Sequence, residues 1–465
     1  MRYHVENFGC RTSRADGDAL AASLGAQGAE PADGLTAADV VVVNTCAVTA
    51  EAERDARAYI RRARRVNPGL RVVVTGCYAQ RAPKEVAALD GVSAVVGNSH
   101  KNQVAAIALG RDLPLVQLQP GSTVEAVRPY LLAGDIFAHS EFQLPSLAGR
   151  LGQRTRPSLK IQDGCGNRCS FCIIPSVRGN SRSLAGEHVL RAVREFVESG
   201  GTELVLSGIN LGRWGRDFAP QSRLEDLLAE ILETTALPRL RISSIEPMDW
   251  TDGLIELLAR WGSDPHPRLA RHAHMPLQSG SDSVLRRMHR RYRPWHYAER
   301  IGRVRGAAAD AAIGADVMVG FPGESEAEFR ESYDFIAAQP FTYLHLFPFS
   351  ARPATPAWEL DRKSPVAGGA VRERMTALRG LIEEKNRVFR SRFIGSRLSA
   401  VSLIPDKSGR SAALTDNFLP VELEGSWAAN SLLSVEVTGL SRDGLRGVVC
   451  QSSVVCQNGS ARSAS

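Results

Sequence analysis

The sequence predicts an α/β protein in three parts: an amino-terminal open parallel α/β domain, a central partial TIM-type barrel and a small carboxyl-terminal β-barrel. Two patterns lead there. Short β-branched runs alternate with helical stretches from the start of the chain and again from Ser158, as in parallel sheets flanked by helices. A long charged helical pattern at Val371 to Phe389 then gives way to short strands. The turn signals Asp406-Lys407-Ser408-Gly409 and Ser441-Arg442-Asp443-Gly444 separate them, which suits a closed β-barrel.

Composition narrows the function classes. The 465 residues are too many for one compact core, and with 43% hydrophobic and 23% charged residues the chain is not that of a disordered protein. No apolar run reaches the roughly 18 residues that cross a bilayer. Met1 to Cys10 also lacks the apolar stretch of a secretory signal, so a cytoplasmic protein without a membrane partner is expected. The formal charge of +7 permits a polyanionic partner without demonstrating one. Eight cysteines in a chain of this length, under reducing conditions, point to metal ligation or catalysis rather than to disulfides.

Residues 1–112 contain the strand patterns Tyr3–Phe8, Val40–Val43, Val72–Val74 and Ala94–Val96. Three of these four lead into a cysteine: Cys10, Cys46 and Cys77. In an open parallel sheet the loops beyond the strands' carboxyl ends share one edge, so these three thiols can meet. Residues 113–156, broken by Pro114, Pro120, Pro129 and Pro145, read as a linker. Residues 157–389 carry the strand patterns Leu159–Gln162, Leu204–Leu206, Leu240–Ser243, His272–Met275, Ile313–Val319 and Tyr343–Phe347, a parallel barrel whose chemistry sits beyond the strands' carboxyl ends. Residues 390–450 form the small barrel, and the Ser-rich tail 451–465 is expected to be disordered.

Cys165-x3-Cys169-x2-Cys172 directly follows the first barrel strand. Three thiolates so close can hold three irons of a cubane cluster and leave the fourth open. Zinc is the alternative, but it takes four ligands in paired knuckles, and no fourth stands at knuckle spacing. With Phe171 before the last cysteine and Ile173-Ile174-Pro175 after it, the run resembles the radical S-adenosylmethionine enzymes. That resemblance implies a 4Fe-4S cluster and S-adenosyl-L-methionine as the source of a 5′-deoxyadenosyl radical.

Together with that run, Asn7-Phe8-Gly9-Cys10, Val43-Asn44-Thr45-Cys46 and Thr75-Gly76-Cys77-Tyr78-Ala79-Gln80 resemble the methylthiotransferases of that superfamily. The resemblance spans nearly the whole chain. It implies that Cys10, Cys46 and Cys77 hold a second 4Fe-4S cluster, which carries or donates the sulfur. Arg241 to Pro247 and Asp316 to Glu324 look most like the branch that modifies N6-threonylcarbamoyladenosine 37 of tRNA. The branches acting on isopentenyladenosine 37 and on a ribosomal protein share both cysteine triads and stay open, as does a non-catalytic RNA-binding protein stapled by zinc.

By the same resemblance Phe171, Ser207, Gly208, Glu246, Gln278 and Asp316 are expected at the cofactor or substrate, and the terminal barrel resembles the RNA-binding TRAM module. Polar residues at strand ends also cap helices and satisfy amides, which is the plainer reading of each. Asn417, within Asp416-Asn417-Phe418, is expected in a tRNA-contacting loop, although seven basic and six acidic residues leave that module nearly neutral. Arg54, Arg57, Arg61 and Arg64 share one helix face, and Arg286, Arg287, Arg290, Arg291 and Arg293 crowd another helix end. Either set would serve phosphates or simply be a solvated face. The implied partners are the tRNA anticodon loop and an electron donor of the flavodoxin or ferredoxin type, with the chain a monomer. Cys450 and Cys456 are expected to be exposed free thiols.

Overall fold

In the computed structural model, residues 1–111, 129–138, 142, 155–406 and 408–450 are described. Most of the expected linker, the tail and Cys456 lie outside the described residues.

Strands β1 (Arg2–Asn7), β2 (Glu30–Pro31), β3 (Val40–Thr45), β4 (Arg71–Gly76), β5 (Val92–Gly97) and β6 (Tyr130–Leu132) form one parallel sheet in the order β2-β1-β3-β4-β5-β6. β3 and β4 are covered on both faces, which is why they read as unbroken valine runs rather than alternating patterns.

Strands β7 (Ser158–Asp163), β8 (Arg182–Ser183), β9 (Glu203–Gly208) and β10 (Arg239–Ile242) make a second sheet, with only β8 antiparallel. Strands β11 (His272–His274), β12 (Ala312–Val319) and β13 (Tyr343–Pro348) make a third, all parallel. Ala270 donates its backbone N–H to Leu240 at 2.9 Å and Ile245 donates to His274 at 3.0 Å, so the two sheets continue as one incomplete barrel, open between β7 and β13. Strand alternation divides its residues. Leu159, Ile161, Leu204, Leu206, Ile313 and Val317 pack outward in a core shared with the surrounding helices. Lys160, Gln162, Ser207, His274, Asp316 and His345 take the opposite face, giving a polar lumen.

The amino-terminal domain bridges the opening. Asp16, on the helix Arg11–Ala26, accepts from Lys160 of β7 at 2.5 Å. On the other side Glu53 accepts from Arg352 at 2.5 Å, and the Ala50 N–H donates to Ser350 at 3.2 Å, both just beyond β13.

After the helix Gly368–Ser391, strands β14 (Arg397–Ser402), β15 (Ala412–Thr415), β16 (Pro420–Leu423), β17 (Leu432–Leu440) and β18 (Leu445–Val449) close into a barrel in the order β14-β15-β16-β18-β17. It packs on the amino-terminal ends of β9 to β11. Arg241 donates to the Thr415 and Asp416 carbonyls at 3.0 and 3.1 Å, Arg271 donates to the Asp416 carboxylate at 2.5 Å, and Phe418 stacks on His272 with ring centroids 4.4 Å apart. The expected RNA loop Asp416-Asn417-Phe418 is therefore a plug in the barrel's base. Asn417 is fully buried and donates to the Asp310 carbonyl, which removes it from any RNA surface. Cys450 is half-buried rather than exposed.

Candidate functional site

Cys10, Cys46 and Cys77 follow β1, β3 and β4 at the shared edge, Cys46 and Cys77 buried and Cys10 exposed. Glycine makes the approach possible. Gly9 has φ +104°, and a Cβ there would stand 2.8 Å from Cys46 Sγ; Gly76 has φ +96°, and its Cβ would meet the Thr45 carbonyl at 2.3 Å. The Asn44 side-chain amide ties the strand ends by donating to Asn7 Oδ1 at 3.0 Å and to the Ser13 carbonyl at 2.6 Å. Burial pushes the Cys46 thiol up to about 12, and charge on Cys77 and Cys10 adds to it, so the three share one electrostatic site. The Val48 N–H donates to Cys46 Sγ at 3.4 Å and the Asn98 amide to Cys77 Sγ at 3.5 Å.

The second trio sits in the loop after β7. The Asn167 N–H and the Asn210 amide donate to Cys165 Sγ at 3.4 and 3.8 Å, and the Arg290 guanidinium donates to Cys169 Sγ at 3.2 Å. Burial raises the Cys172 thiol to about 12, with Cys169 and Cys165 adding to the shift. Phe171 is half-buried against the barrel core. Gly208 is required by contact: a Cβ would come within 2.9 Å of the Gln162 side chain, whose Oε1 accepts from the Asn210 N–H at 2.6 Å. Ser207 accepts from Ser158 at 2.8 Å. Glu246 pairs with Arg290, and the buried Oε1 of Gln278 has no partner among the described residues.

Between the trios lies an ionic network that the sequence did not disclose. Asp16 accepts from Lys101 (2.6 Å), Lys160 (2.5 Å) and Arg178 (2.9 Å), and Asp163 accepts from Lys160 (2.9 Å) and Arg178 (2.8 Å). Burial alone would raise the Asp16 pKa, but Lys101, Lys160 and Arg178 hold it below the ordinary carboxylate range. Arg178 also feels charge on Cys77 and Cys10, which brings this network up to the first trio. Asp316, half-buried in the lumen, is likewise held low against its burial by the His274 and His345 imidazoles beside it.

The basic stretches divide. Arg61 is exposed on its helix, while Arg57 donates to the Tyr78 hydroxyl at 2.9 Å and reaches Glu85 at 3.4 Å. Arg287 is neutralised by Glu328 at 2.7 Å. Arg290 is 7% exposed and points at Cys169, so it is corrected from an RNA contact to a neighbour of the thiols.

These donor sets fit iron–sulfur clusters. A bound metal would hold as thiolates the Cys46 and Cys172 groups that burial pushes up, and amide N–H groups aimed at sulfur are the usual support of a cluster. Residues 2–97 match a family profile described as uncharacterized protein family UPF0004, and residues 159–336 match the radical SAM superfamily. The barrel and its thiol loop thus define a radical S-adenosylmethionine enzyme, a class that works with S-adenosylmethionine and a 4Fe-4S cluster. The chain is 35% identical to the threonylcarbamoyladenosine tRNA methylthiotransferase MtaB of Bacillus subtilis (strain 168), over 90% of this chain and 89% of that protein. It is 34% identical to the tRNA-2-methylthio-N(6)-dimethylallyladenosine synthase of Parafrankia sp. (strain EAN1pec), over 94% and 83%. In fold it is similar to the radical S-adenosylmethionine methyltransferase TsrM from Kitasatospora setae, with a TM-score of 0.55, 18% identity, and 77% and 73% of the two chains covered. The chain belongs to the radical S-adenosylmethionine methylthiotransferase family.

Proposed function

We propose that this enzyme inserts a methylthio group at the C2 position of N6-threonylcarbamoyladenosine 37 of tRNA. The supporting observation is that the segments bearing the two cysteine trios are joined by one ionic network, in which Asp16, six residues after Cys10, accepts from Lys160 and Arg178, which flank Cys165 to Cys172. In this reading Cys165, Cys169 and Cys172 hold the cluster that binds S-adenosylmethionine, and Cys10, Cys46 and Cys77 hold a second 4Fe-4S cluster. When bound, the two groups supply a 5′-deoxyadenosyl radical and the sulfur to be transferred.

The chain's own residues do the rest. Arg290 sets positive charge beside Cys169, and Asn210 steadies Cys165. Phe171, Ser207, Gly208, Glu246 and Gln278 line the cofactor's side of the lumen. Arg61 and its exposed neighbours take RNA phosphates, a contact that weakens as salt rises. A flavodoxin- or ferredoxin-type protein supplies electrons, and the enzyme works as a cytoplasmic monomer; no helix among the described residues is long and apolar enough to cross a membrane.

Mass spectrometry of tRNA nucleosides from cells with and without the gene tests this. The 2-methylthio derivative of threonylcarbamoyladenosine is expected to vanish with the gene. An unchanged methylthio profile would remove the RNA assignment.

A further inference from the structure

Identity does not separate the two kinds of relative, at 35% for the threonylcarbamoyl enzyme and 34% for the dimethylallyl enzyme. The lumen does. A dimethylallyl group is a branched hydrocarbon and wants an apolar pocket, whereas a threonylcarbamoyl group carries a carboxylate, a hydroxyl and a urea. Asp316 and His345 stand opposite each other in register on β12 and β13. Asp316 Oδ1 lies 3.2 Å from His345 Nδ1 and 3.5 Å from His274 Nε2, and Ser244 Oγ is 2.6 Å from His274 Nδ1. His274 is 5% exposed and its Nε2 makes no hydrogen bond among the described residues. The His345 side chain is 56% exposed, with the Tyr343 ring at 5.3 Å as one wall. Fixing Nδ1 on Asp316 turns Nε2 of His345 outward, where it is available to a ligand. Gly314 makes room for the Tyr343 ring, which a Cβ there would strike.

Arg11 stands on the amino-terminal domain, at the start of the helix Arg11–Ala26. It is exposed, makes no hydrogen bond or ion pair among the described residues, and its charge reaches His272 and Tyr343. It also lines a cavity of about 520 Å³ whose barrel wall is Ser158 and Val205.

We infer that His345, oriented by Asp316, binds the N6 substituent of the target adenosine, so that the site accepts a polar aminoacyl group and rejects a hydrocarbon. The inference rests on the function proposed above and names the residues that choose its substrate. Burying a dimethylallyl group here would strip water from these polar groups without replacing their hydrogen bonds.

The test presents the reconstituted enzyme with anticodon stem-loops bearing threonylcarbamoyladenosine or dimethylallyladenosine, and compares kcat/KM for each. The wild type is expected to favour the free acid. His345→Phe should lower its acid-to-dimethylallyl ratio by about a hundredfold, a ratio that a general loss of folded enzyme would not move. His345→Asn should restore part of it. A wild type that prefers the dimethylallyl RNA would defeat the proposed function itself. A wild type that prefers the acid, with His345→Phe holding that ratio within about twofold, would defeat the inference alone. Loss of one bound zinc from the His345→Phe protein would also overturn it, by making His274, Asp316 and His345 a metal site.

Discussion

Single charged residues decide how the barrel's base is held. Glu203 is fully buried, and burial alone would raise its pKa, yet Arg241, Arg156 and Arg239 bring it from the ordinary 4.5 to about 2. A carboxylate depressed by folding stabilises the protein above its unfolded pKa, and that stability is lost as pH falls from 4.5 toward 2. This cluster of one carboxylate and three arginines is worth about 3 kcal/mol across that window. Urea unfolding of Glu203→Gln should show a loss of about 3–5 kcal/mol at pH 7, where Arg239 and Arg241 are left unpaired, and a flatter decline into acid than the wild type. A variant as stable as wild type at pH 7, with the same acid slope, would show that Glu203 does not govern this region. At this scale the cysteines were legible, because each follows an apolar strand or lies in one short run. Arg290 and Asn417 were not, since their partners Cys169 and Asp310 lie 121 and 107 residues away and only folding shows that both side chains turn inward.

Among the elements, the helix Arg11–Ala26 has two duties. Its start follows Cys10 of the first trio, and its middle delivers Asp16 into the network on β7. Gly17 lets the helix lie close, for a Cβ there would overlap the Asn7 side chain. Replacing Asp16 by Asn leaves Lys101, Lys160 and Arg178 short of a carboxylate, a change expected to cost about 3–5 kcal/mol. Thermal unfolding should show an earlier transition, and limited proteolysis should cleave between the amino-terminal domain and the barrel more readily. Unaltered melting and digestion would mean that the helix docks by other contacts. The parallel strands were readable in advance because covered sheets demand valine-rich runs. The network was not, since its partners are 85, 144 and 162 residues from Asp16.

At the scale of the whole molecule, three domains complete one lumen. The barrel of six parallel strands is open on one side, the amino-terminal domain bridges that side from β7 to the segment after β13, and the small barrel plugs the base with Phe418. The terminal barrel's closed form was foreseeable from its turns, but its place under β10 and β11 was not, because Arg241 and Arg271 give no local sign of their partners across the interface. This arrangement joins the two thiol trios to a single reaction space, and iron stoichiometry with matched product assays tests it most directly. Anaerobically reconstituted wild type should hold about eight irons and methylthiolate RNA. Cys46→Ala should hold about four, still cleave S-adenosylmethionine and make no methylthio product, while Cys169→Ala should hold about four and cleave none. Full product from Cys46→Ala, or wild type with only about four irons, would contradict the account.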